Sequence, residues 1–80
     1  MRLRHDDPAL DALGAEVRRR RIELGLTQDV LGERAGIHRN YVGMLERGER
    51  NATVLTLLRV AGGLGVPASS LLEAAQHGGE

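Results

Sequence analysis

The sequence predicts an all-α fold of five helices, and three observations predict it. Apolar residues recur at helical spacing in separate stretches, among them Leu10, Leu13, Val17 and Leu24, and later Val54, Leu57, Leu58, Ala61 and Leu64. Capping residues open these stretches and glycines close them. Phe and Trp are absent, and Tyr41 is the only aromatic residue among 80, so the core must be built from Leu, Val, Ile and Ala.

Residues 1–7 are expected to form a flexible arm. Asp7 followed by Pro8 joins a capping side chain to a proline in the first turn, and the helix it starts is predicted to run to about Leu24. Leu10, Leu13, Val17 and Leu24 define its buried stripe, and Gly25 ends it. Arg18 to Arg21 fall in its last turns, where cations suit the helix dipole. Thr27 caps a second helix over about Gln28 to Ala35, with Val30, Leu31 and Ala35 on its apolar side. Gly36 breaks it, because a tight turn between helices asks for positive φ, and Ile37 packs inward. The third helix is predicted from about His38 to Arg47, with Val42 and Leu45 buried and Gly48 terminating it. Thr53 caps the fourth, about Val54 to Leu64, whose Gly62 and Gly63 weaken its end by about 1 kcal/mol each relative to Ala. Pro67 starts a short fifth helix with Leu71 and Leu72 apolar. One domain over residues 8–76 is expected, with a flexible tail at 77–80, no internal repeat and no second domain.

Composition narrows the function. With no cysteine there is no disulfide framework and no thiolate metal site. Neither His5 nor His77 has partners that suggest a metal, and paired carboxylates in a cleft and a phosphate loop are both missing, so neither metal nor cofactor nor enzymatic activity is expected. The apolar runs are too short to span a bilayer and no signal peptide opens the chain, so a cytoplasmic location without membrane contact is expected. Formal net charge is zero, yet it is unevenly placed. Residues 18–50 carry eight arginines against five acids, a net +3, while the segments before and after carry −2 and −1. Local potential, rather than the total, steers a polyanion. All eleven cations are Arg, which gives planar bidentate contacts to guanine and phosphate; a GC-rich coding bias explains the same preference.

The stretch Thr27 to Gly48 carries most of the functional signal. Two short helices joined at Gly36 form a helix-turn-helix, and the second has Arg39 and Asn40 in its first turn. These side-chain types hydrogen-bond to guanine and adenine edges in the DNA major groove. At about 100° per residue, Val42 and Leu45 face the core, while Asn40, Gly43, Met44 and Arg47 face roughly away and Arg39 sits on the flank. Arg39 is the leading base reader, against the alternative of a solvated surface arginine. Asn40, to adenine or phosphate, and Met44, to a thymine methyl, are weighed evenly against ordinary surface residues. Tyr41 is either a ring at the core edge, a hydroxyl donor to DNA, or both.

Leu26-Thr27-Gln28 opening the second helix, Ala35-Gly36-Ile37 at the turn, Leu45-Glu46-Arg47-Gly48 closing the third helix, Arg50-Asn51, Leu57-Leu58 and Leu64-Gly65-Val66 together resemble the phage-repressor and Cro type of helix-turn-helix, the XRE-like family. The resemblance covers about residues 8 to 72. It implies a compact five-helix, lambda-repressor-like DNA-binding domain that binds double-stranded DNA sequence-specifically as a homodimer and regulates transcription. The resemblance also implies a palindromic operator, with two half-sites about one helical turn apart. The segment from Arg39 to Arg47 is also similar to the small controller proteins of restriction–modification systems. Through this resemblance Gln28 is expected to bind a DNA phosphate and brace the third helix, helped by the free N–H groups at the start of its own helix. Arg47, Arg50 and Asn51 look like phosphate contacts, and Tyr41 joins them as a hydroxyl donor. Glu46 lies only about 40° around from Val42, and an unpaired buried carboxylate is costly. Arg21 matches the family position that pairs with it, so a structural Arg21–Glu46 ion pair is expected.

Two positions depart from the family pattern. His38 stands where Ser or Thr often caps the third helix, and His is a poor cap. Thr56 stands where Glu often completes a capping box with Thr53. No separate ligand-sensing domain is expected within these 80 residues. Leu64, Val66, Leu71 and Leu72 either form a dimer surface or complete the core. The alternative function is an antitoxin-like interaction module whose main partner is a protein, with DNA binding secondary.

Overall fold

In the computed structural model, which describes residues 7–78, five helices follow one another. They are α1 (Pro8–Glu23), α2 (Gln28–Ala35), α3 (Arg39–Glu46), α4 (Val54–Leu64) and α5 (Ala68–Gly78). No strand occurs among the described residues. The expected arm lies, for residues 1–6, outside the described part. Asp7 does not belong to it, because its carboxylate accepts a hydrogen bond from the Ala9 N–H at 2.8 Å and caps α1, with Pro8 in the first turn. At the other end α5 continues through His77 to Gly78, two residues past the expected boundary at 76.

Leu13 and Val17 of α1, Leu31 and Ala35 of α2, Val42 and Leu45 of α3, Leu57, Val60, Ala61 and Leu64 of α4, and Leu71 of α5 form one buried cluster. Ile37, Tyr41 and Val66 pack against its edge. Helix α1 lies along α5 and α3, and α2 lies against α3 and α4. Helices α4 and α5 are bent by 115° relative to each other. No single helix among the described residues is long and apolar enough to cross a membrane.

The structure corrects the expected core at three places. Leu24 is the C-cap of α1, beyond its last turn, and is exposed. On α4 the buried stripe is Leu57, Val60, Ala61 and Leu64, whereas Val54 and Leu58 are 75% and 55% exposed. Val54 sits in the first turn, past the rim of the core, and Leu58 lies about 100° around the helix from Leu57. Leu64 and Leu71, considered for a dimer surface, are core residues, and Val66 packs on them.

Two glycines set the helix geometry around α3. Gly36 adopts φ 72°, which lets α2 stop and turn into α3 within three residues. Gly14 of α1 faces the end of α3 so closely that a Cβ there would lie 2.6 Å from the Glu46 carbonyl oxygen. That approach brings the last turn of α3 onto α1.

Candidate nucleic-acid interface

Helix α3 is held by a polar brace at its buried end. Arg21 of α1 donates from Nε to Glu46 Oε2 at 2.6 Å and from Nη2 to Glu46 Oε1 at 3.0 Å. Its Nη1 donates to the Leu26 carbonyl at 2.8 Å, and Gln28 Nε2 donates to Glu46 Oε1 at 3.1 Å. The ion-pair side chains are only 11% and 3% exposed, and among the described residues every buried side-chain polar atom has a partner. One carboxylate thus ties together α1, the turn after it, α2 and α3. The hydrogen bond to Glu46 raises the Arg21 pKa above its ordinary value, against the opposing effect of burial.

The other end of α3 is exposed and ordered. His38 is the N-cap, and its ring Nδ1 accepts from the Asn40 N–H at 3.0 Å. The imidazole nitrogen therefore supplies the acceptor that Ser or Thr supplies elsewhere, at the cost of fixing which ring nitrogen is free of a proton. The first turn of α3 then presents Arg39 and Asn40, both exposed, with side chains that engage no partner among the described residues.

The remaining expected contacts lie along and beyond α3, and several are already engaged. Gln28 spends one amide N–H on Glu46 and keeps the other. Arg47 donates from Nε to Glu49 Oε2 at 3.0 Å and from Nη2 to Glu49 Oε1 at 3.2 Å. That carboxylate raises the Arg47 pKa. Arg50 Nε contacts Met44 Sδ at 3.3 Å, holding the thioether of a half-buried Met44 against the following loop. Tyr41 donates its one hydroxyl proton to the Asn51 carbonyl at 3.2 Å and packs its ring on the core. A phosphate contact by Tyr41 would require exchanging that bond. The Asn51 side chain is left exposed.

Sequence reasoning missed two features here. Gly43 was expected to face outward, yet it is buried, because Gln28 and Arg47 reach across it. A Cβ there would lie 3.1 Å from Arg47 Nη1 and 3.5 Å from Gln28 Oε1. The second is Glu49, which holds Arg47; a signal was present in the Arg-X-Glu spacing of residues 47–49, though that spacing pairs side chains only in a turn and not on a helix. The departure at Thr56 proves mild. Thr53 Oγ1 accepts from the Thr56 N–H at 3.1 Å and donates to the Thr56 hydroxyl at 3.0 Å.

Not all of the arginine run is available to a polyanion. Arg19 and Arg20 are each bonded at 2.6 Å to Glu16, and Arg19 also to Glu23 at 2.7 Å. The Arg19 hydrogen bond foremost, with Arg20 assisting and burial opposing, holds the Glu16 carboxyl below its ordinary pKa. Arg18, Arg34, Arg39 and Arg59 pair with no acid among the described residues.

A five-helix domain with α2 and α3 joined through a left-handed glycine defines a helix-turn-helix protein. A family model described as helix-turn-helix matches residues 17–71, and the chain belongs to that XRE-like family. Among its relatives is y4dJ of Sinorhizobium fredii, described as an uncharacterized HTH-type transcriptional regulator, 46% identical over 54 residues that cover 68% of this chain and 70% of the relative. The control protein C.SmaI of Serratia marcescens is 40% identical over 62 residues, 78% of this chain and 74% of its own. Among solved structures, the restriction-modification controller protein C.AhdI of Aeromonas hydrophila superposes with a TM-score of 0.76 at 35% identity, covering 78% of this chain and 94% of that one.

Proposed function

We propose that this chain, a DNA-binding transcriptional regulator of the helix-turn-helix family, reads a palindromic operator as a homodimer in the cytoplasm and is not an enzyme. One observation carries the reading. Arg39 and Asn40 stand exposed and unengaged on the first turn of α3, while the far end of that helix is locked through Glu46 to α1 and α2. A rigid scaffold presenting free guanine- and adenine-binding side chains is what major-groove reading requires. Arg39 reads a guanine through N7 and O6, Asn40 an adjacent adenine or phosphate, and Met44 a thymine methyl. Gln28, Arg47, Arg50 and Asn51 approach the phosphates and set the register. Tyr41 serves mainly to tie the loop after α3 to the core.

The size of the domain supports the two-fold reading. The domain measures 33 Å along its long axis and carries one helix-turn-helix among its described residues. Half-sites about 34 Å apart therefore require a second copy. The surface for it is the outer side of α4, where Val54, Leu55 and Leu58 lie within one turn of each other and are 75%, 57% and 55% exposed. Leu72 of α5 is a further exposed apolar residue, at 50%. The relatives support the regulatory reading, since they include a control protein and an immunity repressor of Bacillus phage phi105.

The test compares wild type with Arg39→Ala on the preferred site and on random duplex. The variant should lose about 1–3 kcal/mol of preference and keep weak, salt-sensitive binding. Equal preference in the two proteins would refute the assignment of Arg39.

A further inference from the structure

The contact between Arg47 and Glu49 points to a control on DNA affinity inside the chain itself. Glu49 is fixed by the end of α3. Its N–H donates to the Met44 carbonyl at 2.9 Å, and the Gly48 N–H donates to the Leu45 carbonyl at 3.1 Å. With Gly48 at φ 73° these bonds form a Schellman motif, in which Glu49 occupies the position that usually carries an apolar residue packed on the helix. Here that position carries a carboxylate instead, turned back onto the guanidinium of Arg47 in a two-point contact. Bidentate geometry of this kind is the one by which arginine also takes a phosphate. Both side chains are about half exposed, 58% and 46%, so a polyanion can reach the pair and replace one acid by another. Gly43 leaves the space in which the Arg47 guanidinium lies.

We propose that Glu49 is an intramolecular substitute for a DNA phosphate, which occupies Arg47 in the free protein and must be exchanged when DNA binds. This inference rests on the DNA-binding reading above. Its consequence is specific. An arginine already neutralised by a neighbouring carboxylate releases fewer counterions when it meets DNA, so Arg47 contributes less than a full phosphate contact to affinity and to salt dependence. Glu49 thereby keeps the affinity of the chain for any duplex low.

The experiment is a double-mutant cycle on duplex binding over a salt series, using the full chain. Glu49→Gln should tighten binding about three- to fivefold at low salt, and should steepen the plot of log affinity against log salt by about one unit. In an Arg47→Met background the same Glu49→Gln change should alter affinity less than about twofold and leave the slope unchanged. Thermal melts of the four proteins verify that each is folded, and Glu49→Asp serves as a second variant that keeps the charge and should not tighten binding. An equal gain in both Arg47 backgrounds would show that Glu49 acts as bulk negative charge and would overturn the proposal. So would wild-type affinity and slope in Glu49→Gln. If the wild-type chain itself retains no duplex, the DNA-binding reading fails and this inference with it.

Discussion

Removing one partner of the Arg21–Glu46 pair should cost far more than removing both. Glu46→Leu strands the Nε and Nη2 donors of Arg21 and the Nε2 donor of Gln28 beneath α3, where all three now meet one carboxylate. Breaking a buried ion pair costs about 3–5 kcal/mol. Arg21 retains 11% side-chain exposure, so water reaches an edge of the site and the lower figure, about 3 kcal/mol, applies. For a domain of this size each kcal/mol moves Tm by about 4–8 °C, so the variant should melt about 12–24 °C lower. Arg21→Met should cost a similar amount by leaving Glu46 buried with only Gln28 as donor. The double variant removes both charges and fills the space with apolar atoms, so its loss should be smaller than that of either single variant and far short of their sum. Urea denaturation at low temperature, followed by circular dichroism, gives all four stabilities. Strictly additive losses, or a loss in Glu46→Leu below about 0.5 kcal/mol, would refute the view that this pair fixes α3.

The remaining predictions concern backbone space and assembly. Gly62 has open space where a Cβ would go, so Gly62→Ala should stabilise the domain by up to about 1 kcal/mol in a thermal melt. Gly14→Ala places its methyl against the carbonyls at the end of α3 and should destabilise by more than about 2 kcal/mol; a neutral result would contradict the close approach of α1 and α3. Leu55→Glu with Leu58→Glu should shift sedimentation toward the monomer and lower operator affinity while leaving the melting of the monomer little changed, because both side chains already face solvent. A dimer that persists in that variant would place the interface elsewhere.

Much of this architecture was legible because its signals are local. Asp7-Pro8, Thr27 and Thr53 are side chains whose capping bonds form within three residues, and the structure has each of those bonds. The buried pair was legible by a different route, since only the family resemblance connects Arg21 to Glu46 across 25 positions. Periodicity was less informative on α4, because Leu57, Val60 and Leu58 all fit a helical stripe and the pattern does not say where the neighbouring helices end. Val60 went unnoticed and Leu58 was placed inside for that reason. Residue type alone makes His38 a poor cap, whereas its ring Nδ1, three bonds from Cα like the side-chain oxygen of Asp or Asn, reaches the Asn40 N–H. The engagement of Arg47 by Glu49 depends on the turn at Gly48, and no helical spacing rule describes side chains two residues apart across such a turn.

The account stands on α3 as a reader of base sequence in a two-fold assembly. Selection of bound duplexes from a random DNA pool, read by sequencing, tests it most directly. The account predicts an enriched palindrome with two half-sites centred about one helical turn apart, each containing a guanine whose replacement is no longer discriminated by Arg39→Ala. A pool that returns no enriched sequence, or a single unrepeated half-site bound by a monomer, would contradict it.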